Sequence, residues 1–286
     1  SQALRFFRYT DKKLALFNGA QEGHIADLDM VLQKANAKGK ILKSLPNSHY
    51  ERMVLGRSLA MVDTGTPLGS PHDVQAHAAP LSFEFSYGRE RIFVNCGTHP
   101  VDDEWRDAMR YTAAHNSLTI DHRNICEITE NGHFARKPRK VTRERDFKPN
   151  ALLLDMTHDG YMPLSGIIHR RRLYLGEQGH DFRGEESLTC ATGLTQSHDI
   201  TLRFHIHPRV MVSLVQGGQE ALLKLGGGAG WRFIFSGADI DATLSLENSI
   251  YLGDGARPRK TKQLVISGRM HQDFAQIKWC AKRERG

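Results

Sequence analysis

The stretch that decides the fold, residues 81–94, reads LSFEFSYGRERIFV. Apolar and polar side chains alternate over residues 81–86, which is the period of a half-buried β-strand. A second run, 89–94, follows the turn residue Gly88. Two such runs on either side of a glycine turn predict an antiparallel hairpin.

The same alternation continues outward from this hairpin. It recurs at residues 117–121, 172–175, 201–206, 210–214, 231–235, 263–266 and 275–279, with glycine-rich breaks at 217–218 and 226–230. Only residues 25–36 have convincing helical spacing. Many short strands separated by turns predict an all-β chain that forms a large antiparallel β-sandwich, with a short helical remnant near the N-terminus.

Composition narrows the class further. The 286 residues include 15 histidines and four cysteines, and the net charge is +7. A quarter of the residues are charged and 40% are hydrophobic, which excludes disordered and collagen-like chains. No apolar run reaches the roughly 18 residues of a membrane span. The cysteines form no CxxC pair, so we expect buried or free thiols and no disulfide framework.

The positive charge is concentrated in two places. Residues 136–145 carry six basic residues and one acidic residue, and a second cluster comprises Lys278, Lys282, Arg283 and Arg285. One interpretation is a surface for a polyanion such as an acidic polysaccharide or a nucleic acid. The other is an ordinary solvated surface. No helix-turn-helix, zinc-finger or RNA-binding pattern accompanies the charge, so a nucleic-acid partner is not favoured.

Four segments could carry chemistry. His77 and His115 each stand just before a predicted strand, where loop residues reach a cleft. Asn95 ends the second strand of the hairpin. In residues 203–207, Arg203, His205 and His207 point to one face of a strand and could bind a carboxylate or sulfate. The competing interpretation for each histidine is a hydrogen-bonded structural residue.

Together these segments resemble the C-terminal domain of heparinase II/III-like polysaccharide lyases, a bacterial family. The resemblance runs through nearly the whole chain. Its most specific blocks are AHNSL at 114–118, LSFEF at 81–85 and RFHIHP at 203–208. It implies an N-terminal α/α toroid in the complete protein, a C-terminal antiparallel β-sandwich, and an active cleft between them. On this basis we expect residues 1–45 to be a linker with the end of the toroid and residues 46–286 to be the sandwich domain.

The resemblance also implies a reaction. Family members cleave uronate-containing polysaccharides by β-elimination: a base removes the C5 proton, an acid protonates the leaving oxygen, and the uronate carboxylate must be neutralised. The toroid is implied to supply the catalytic Tyr and a carboxylate-neutralising residue. The sandwich usually supplies a His at the position of Gln75, and an amide cannot transfer a proton at ordinary pH. We therefore predict that the chain alone is catalytically inactive.

A metal site is implied as well. Zinc is commonly bound in the family through residues that match His77, Asn95 and His115. Here Asn95 replaces an Asp, and Ala79 replaces an Asp often found after the His. Neutral Asn is a weak zinc ligand, so the sequence predicts a weakened site completed by a further group, or two structural histidines.

Further candidates are assigned more loosely. Tyr161 and His169 could perform acid–base chemistry or could be packing residues. For substrate binding, the candidates are Gln75, Asn116, Arg203 and His205.

The alternative to a lyase is a non-catalytic module that binds acidic carbohydrate or acts as a scaffold. The chain starts at Ser1 without an initiator Met, which indicates part of a longer protein. Its compartment, periplasmic or cytoplasmic, stays open.

Overall fold

The computed structural model describes residues 2–284 and contains nineteen strands and four α-helices in that range. The strands in chain order are β1 (Ser44–Leu45), β2 (Tyr50–Leu55), β3 (Ser58–Asp63), β4 (Phe83–Tyr87), β5 (Glu90–Phe93), β6 (Leu118–Ile120), β7 (Glu127–Ile128), β8 (Phe134–Arg136), β9 (Val141–Lys148), β10 (Ala151–Tyr161), β11 (Ile167–Gly176), β12 (Asp181–Cys190), β13 (His198–His205), β14 (Met211–Val215), β15 (Glu220–Lys224), β16 (Gly230–Ser236), β17 (Thr243–Tyr251), β18 (Arg259–Met270) and β19 (Phe274–Arg283). The helices are α1 (Gln2–Phe6), α2 (Ile25–Lys34), α3 (Asp103–Met109) and α4 (Met162–Ser165).

The strands form three main antiparallel sheets. A five-stranded sheet has the order β1-β2-β3-β4-β5, an eight-stranded sheet β14-β15-β16-β19-β12-β11-β10-β9, and a four-stranded sheet β17-β18-β13-β6. A small β7-β8 pair stands apart from them. The predicted all-β sandwich is confirmed.

The hairpin of residues 81–94 lies at the centre of the packing. Tyr87 pairs with Glu90 around the turn, and Gly88 adopts a φ of +61°, which glycine accommodates without strain. Every residue of β4 is buried, including the polar Glu84, which accepts hydrogen bonds from the Tyr9 hydroxyl and the Asn95 N–H. The hairpin prediction is confirmed.

An aromatic cluster joins the hairpin to the eight-stranded sheet. Phe85 stacks on Phe182 with ring centroids 4.3 Å apart, and Phe83 stacks on Trp279 at 5.4 Å. These side chains are at most 2% exposed. Full burial of each large apolar side chain contributes roughly 1.5–3 kcal/mol, so this contact is a major source of the domain's stability.

The helices are few and short. The expected helix at 25–36 is confirmed as α2, whereas α3 was not anticipated. Asp102 caps α3 by accepting a hydrogen bond from the Trp105 backbone N–H at 3.1 Å. Within residues 2–284, no helix combines the length and apolar character needed to cross a membrane.

The N-terminal segment packs directly on the five-stranded sheet. Phe6, Tyr9 and Phe17 share a buried cluster with Tyr50 and Met61. Residues before 46 therefore contribute to the same packed body. The division at residue 45 into a toroid remnant and a sandwich stays a prediction.

The four cysteines are all unpaired thiols, as expected. Burial raises the pKa of Cys96 to about 12 and that of Cys280 to about 12. A thiol with such a pKa is protonated at neutral pH and is a poor nucleophile.

Much of the basic segment 136–145 is occupied inside the fold. Arg136 donates hydrogen bonds to three backbone carbonyls, at 2.6–2.9 Å. Arg143 and Arg145 both pair with the buried Glu51, at 3.0 and 3.2 Å. Arg136, Arg143 and Arg145 are thus engaged in contacts within the fold, which leaves fewer free cations in this segment for a polyanion. Arg285 of the second cluster lies outside the described residues.

Candidate functional site

Gln75 and His77 stand between two neighbouring cavities of about 430 and 350 Å³. We call this region the His77 cleft. Gln75 is exposed, whereas His77 is only 5% exposed and closes the floor. The cleft sits where the loop before β4 meets the loop before β6, so the structure brings together the two histidine segments singled out in the sequence.

Backbone contacts fix the loop that carries His77. The Arg110 guanidinium donates to the carbonyl of Ala76 at 2.9 Å, and the Ala78 N–H donates to the carbonyl of Arg110 at 2.8 Å. The Asn18 side chain accepts from the His77 N–H at 2.9 Å. Because these hydrogen bonds fix the backbone at His77 and at both of its neighbours, the imidazole is held in one position.

His77 and His115 form a direct pair. Their Nδ1 and Nε2 atoms are 2.9 Å apart, and His115 Nδ1 lies 2.9 Å from the carbonyl oxygen of Tyr111. Since a carbonyl only accepts, His115 carries its proton on Nδ1 and accepts from His77 through Nε2. His77 then keeps an unprotonated Nε2. Burial lowers the pKa of both imidazoles, that of His115 to about 4, so the pair is neutral at pH 7.

This pair has part of the geometry of a metal site. Two nitrogens bound to one tetrahedral zinc at 2.0–2.1 Å lie about 3.3 Å apart, close to the separation seen here. The hydrogen bond from His115 Nδ1 to Tyr111 is also the contact that typically orients a ligating histidine. Both imidazoles are zinc ligands by chemistry, but a metal between these two nitrogens would require the shared proton on His77 Nδ1 to move to Nε2.

Asn95 does not fit in the same way. Its amide donates to the Leu16 carbonyl at 3.1 Å and its oxygen accepts from the Asn116 N–H at 3.1 Å, with no exposure to solvent. The side chain acts as a bridge between backbone segments. Within residues 2–284, no group of three or more His, Cys, Asp or Glu side chains is arranged to hold a metal.

The four substrate-binding candidates differ in how exposed their side chains are. Gln75 is exposed at the rim of the cleft. Asn116 is fully buried and bonds the backbone of Phe83 and of His205, so its role here is structural. His205 is 3% exposed and contacts Ser249 and the Ala113 carbonyl, at 2.7 and 2.9 Å.

Arg203 is half-buried and donates to Thr119 at 3.1 Å. Strand β13 is enclosed at His205 and half-buried at Arg203, so the open cationic face expected from alternation is reduced to one partly exposed arginine. Of the four candidates, Gln75 is exposed, Arg203 is half-buried, and Asn116 and His205 are buried.

Tyr161 and His169 lie in the core. Both are 0% exposed. Tyr161 donates to the Leu118 carbonyl at 2.8 Å, and burial raises the pKa of its phenol. His169 lies 2.7 Å from Glu186 and 3.1 Å from His158. No polysaccharide reaches these groups, and their contacts are those of packing residues.

The sequence did not indicate the buried ion pair of Arg171 and Glu186 beside His169. Glu186 accepts from Arg171, His169 and Trp279, and all four side chains are at most 2% exposed. Arg171 also donates to the carbonyls of Leu81 and Asn116, at 2.6 and 2.9 Å. The network thus ties the eight-stranded sheet to the two segments that precede β4 and follow His115. The network therefore holds the backbone on the core side of the His77 cleft.

A comparison of the sequence with protein families finds one match that spans most of the chain. The model described as heparinase II/III-like, C-terminal, matches residues 37–280. Among curated proteins, FtsZ-localized protein C of Caulobacter vibrioides is 27% identical over 295 residues, covering 98% of this chain and 50% of that protein.

Solved structures agree on the fold. The heparan sulfate lyase HepC of Pedobacter heparinus superposes with a TM-score of 0.79 at 14% identity, covering 99% of this chain and 46% of that chain. A heparinase III structure gives 0.77 at 12% identity, with 100% and 48% covered. At these identities the likeness shows the fold alone. The chain spans about half the length of the relatives it matches.

Proposed function

The chain belongs to the heparinase II/III-like family, whose C-terminal domain it contains, and from that membership we propose that it is the sandwich half of a protein that cleaves uronate-bearing polysaccharide by β-elimination. The observation that supports this most is the His77 cleft. It presents a fixed neutral imidazole beside an open surface, at the edge where the family's other domain would close the site.

This chain supplies only part of the required chemistry. β-Elimination needs a base for the C5 proton, a proton donor for the leaving oxygen and a positive or hydrogen-bonding partner for the carboxylate. In the cleft, the unprotonated Nε2 of His77 could accept a proton, although burial lowers the pKa of this imidazole. The Gln75 amide can form hydrogen bonds but cannot transfer a proton. The remaining groups are assigned to the N-terminal domain. The Gln75 amide would orient the sugar and leave proton transfer to others.

The first test measures turnover and binding separately. We expect residues 1–286 to produce no unsaturated-uronate absorbance from heparan-, alginate- or hyaluronan-type substrates, while retaining salt-sensitive binding to at least one of them. Gln75→Ala should weaken that binding, and Gln272→Ala, an exposed glutamine outside the cleft and outside the basic segment, serves as the matched control. Robust product formation by the chain alone would contradict the division of labour proposed here.

A non-catalytic scaffold is the second candidate. Gln75, Asn95 and Ala79 all replace groups that the family's chemistry uses, and the relative that covers 98% of this chain is named for its localisation with FtsZ. The full-length protein decides between the two. Polysaccharide capture without any turnover by that protein would favour the scaffold, and turnover would exclude it.

Zinc binding at His77 and His115 is a separate proposal. The two imidazoles fit the metal and Asn95 does not, so water would have to complete the coordination and affinity would be low. We expect zinc to raise the melting temperature slightly and His115→Ala to abolish that shift. Calorimetry or thermal shift at pH 7 measures this. An equal zinc shift in His115→Ala would show that the metal binds elsewhere.

A further inference from the structure

A second cavity, of about 430 Å³, shares no lining residue with the His77 cleft. It lies between the turn of the β4–β5 hairpin, the segment around residues 11–25, and the loop that follows β13. We call it the Arg91 cavity. Its lining is strongly charged, which is unusual for a cavity with a buried floor.

The floor carries Arg91, whose charge is paired but whose Nη1 has no hydrogen-bond acceptor among the described residues. The Arg91 side chain is 2% exposed, and two of its nitrogens pair with Asp11 at 2.9 and 3.3 Å. Its third nitrogen, Nη1, is buried and has no hydrogen-bond partner; Glu22 lies 3.6 Å away, beyond hydrogen-bonding contact. A buried N–H without an acceptor is costly, so such a group favours a ligand or water that can accept from it.

The rim adds two more cations. Arg89 and Arg209 are exposed, line the cavity, and form no ion pair within residues 2–284. By contrast, each acidic group of the lining is already engaged. Asp11 pairs with Arg91, Glu22 with Lys13 and Tyr251, Asp254 with Arg259, and Glu90 accepts from the Gly227 N–H.

In the described part of the chain, Arg89 and Arg209 are therefore the cations of the lining that have no acidic partner, and Nε2 of His207 lies 4.0 Å from Glu22 without a hydrogen bond. We infer that the Arg91 cavity binds an oxyanion, with Arg91 at its floor and Arg89 and Arg209 at its mouth. Guanidinium groups match the planar or tetrahedral oxygens of carboxylate and sulfate. Either group can come from a free anion or from an acidic sugar; only the second source depends on the proposed function.

The experiment titrates sodium sulfate into the chain at constant ionic strength and follows binding by calorimetry. We expect saturable one-site binding to the wild type and a loss of about tenfold or more in affinity in the double variant Arg89→Ala, Arg209→Ala, because charge-assisted hydrogen bonds are lost. The control variant Arg123→Ala, Arg269→Ala removes the same two charges at exposed positions that do not line the Arg91 cavity, and should leave the affinity unchanged. Both rim residues are exposed, so the double variant should fold.

The outcomes separate the alternatives. Equal sulfate affinity in the wild type and the double variant, or no saturable binding, overturns the site. Competition between sulfate and a uronate oligosaccharide supports the acidic-sugar source. Sulfate binding without that competition keeps the site and rejects the sugar as its source. None of these results depends on turnover, so a failure of the lyase proposal would be seen separately in the absorbance assay.

Discussion

Glu186→Gln should destabilise the domain by about 3–5 kcal/mol, because it leaves Arg171 as a charge buried without its partner. Both side chains are fully buried, and Arg171 holds the pKa of Glu186 at about 2 despite the desolvation that opposes it. The carboxylate also accepts from Trp279 and His169. Urea unfolding followed by circular dichroism gives the free energy of unfolding directly.

The same two strands provide the control. Arg171 pairs across β11 and β12 with Glu186, and the next rung pairs Arg172 with Glu185 on the opposite face. Glu185→Gln therefore removes the same chemistry at the same register from a partly exposed ion pair, and should cost less than about 1 kcal/mol. Equal losses in the two variants would mean that burial of the first pair contributes nothing specific.

Acidification from pH 7 to pH 5 should strongly destabilise the domain. Burial lowers the pKa of His205 to about 3 and that of His207 to about 4, and it also lowers the pKa values of His158 and His169. The unfolded chain protonates histidines near pH 6.5, whereas the native state keeps these four neutral. The unfolded state thus binds more protons, so stability present above pH 6.5 is lost as pH falls.

Two buried carboxyls have the opposite effect on the pH dependence of stability. Burial raises the pKa of Asp63 to about 7 and that of Glu84 to about 7, so the native state holds their protons where the unfolded chain does not. Burial also lowers the pKa values of His77 and His115, so six histidines against two carboxyls leave a net uptake of up to about four protons on unfolding. At about 1.4 kcal/mol per proton and pH unit, the expected loss is up to about 5 kcal/mol between pH 6 and 5.

Urea titrations at pH 7, 6 and 5, in buffers without sulfate or phosphate, measure this slope. His207→Gln should make it shallower by about one proton, which is a check on the assignment to individual histidines. A domain that grows more stable from pH 7 to pH 5 would show that the carboxyls dominate.

The sequence predicted the fold where alternation was strong. Residues 81–94 and the helix at 25–36 could be placed because their apolar spacing has a single interpretation. The strand β9 was missed because it is an edge strand with charged residues on both faces. The strand β12 was missed because Gly184 and Glu186 interrupt its apolar face, although Glu186 is fully buried. Charge signals exposure in a sequence unless the partner across the sheet is known.

The site was less accessible from sequence. His77 and His115 are 38 residues apart in the chain, and only the resemblance to a family suggested that they meet. Asn95 could be named, but not its role, because a carboxamide that binds metal and one that bridges two backbones look alike in sequence. Alternation placed Arg203 and His205 on one face correctly. It could not show that Ser249 and the Ala113 carbonyl already engage His205 on that face.

The position of β19 has a consequence for how the domain is made. This strand lies in the middle of the eight-stranded sheet, between β16 and β12, although it comes after residue 273 in the chain. During synthesis, both halves of the sheet therefore keep open edges until residues 274–283 have left the ribosome. Such edges are templates for pairing with other chains. Folding of this sheet is thus a long-range event, exposed to aggregation until β19 is inserted.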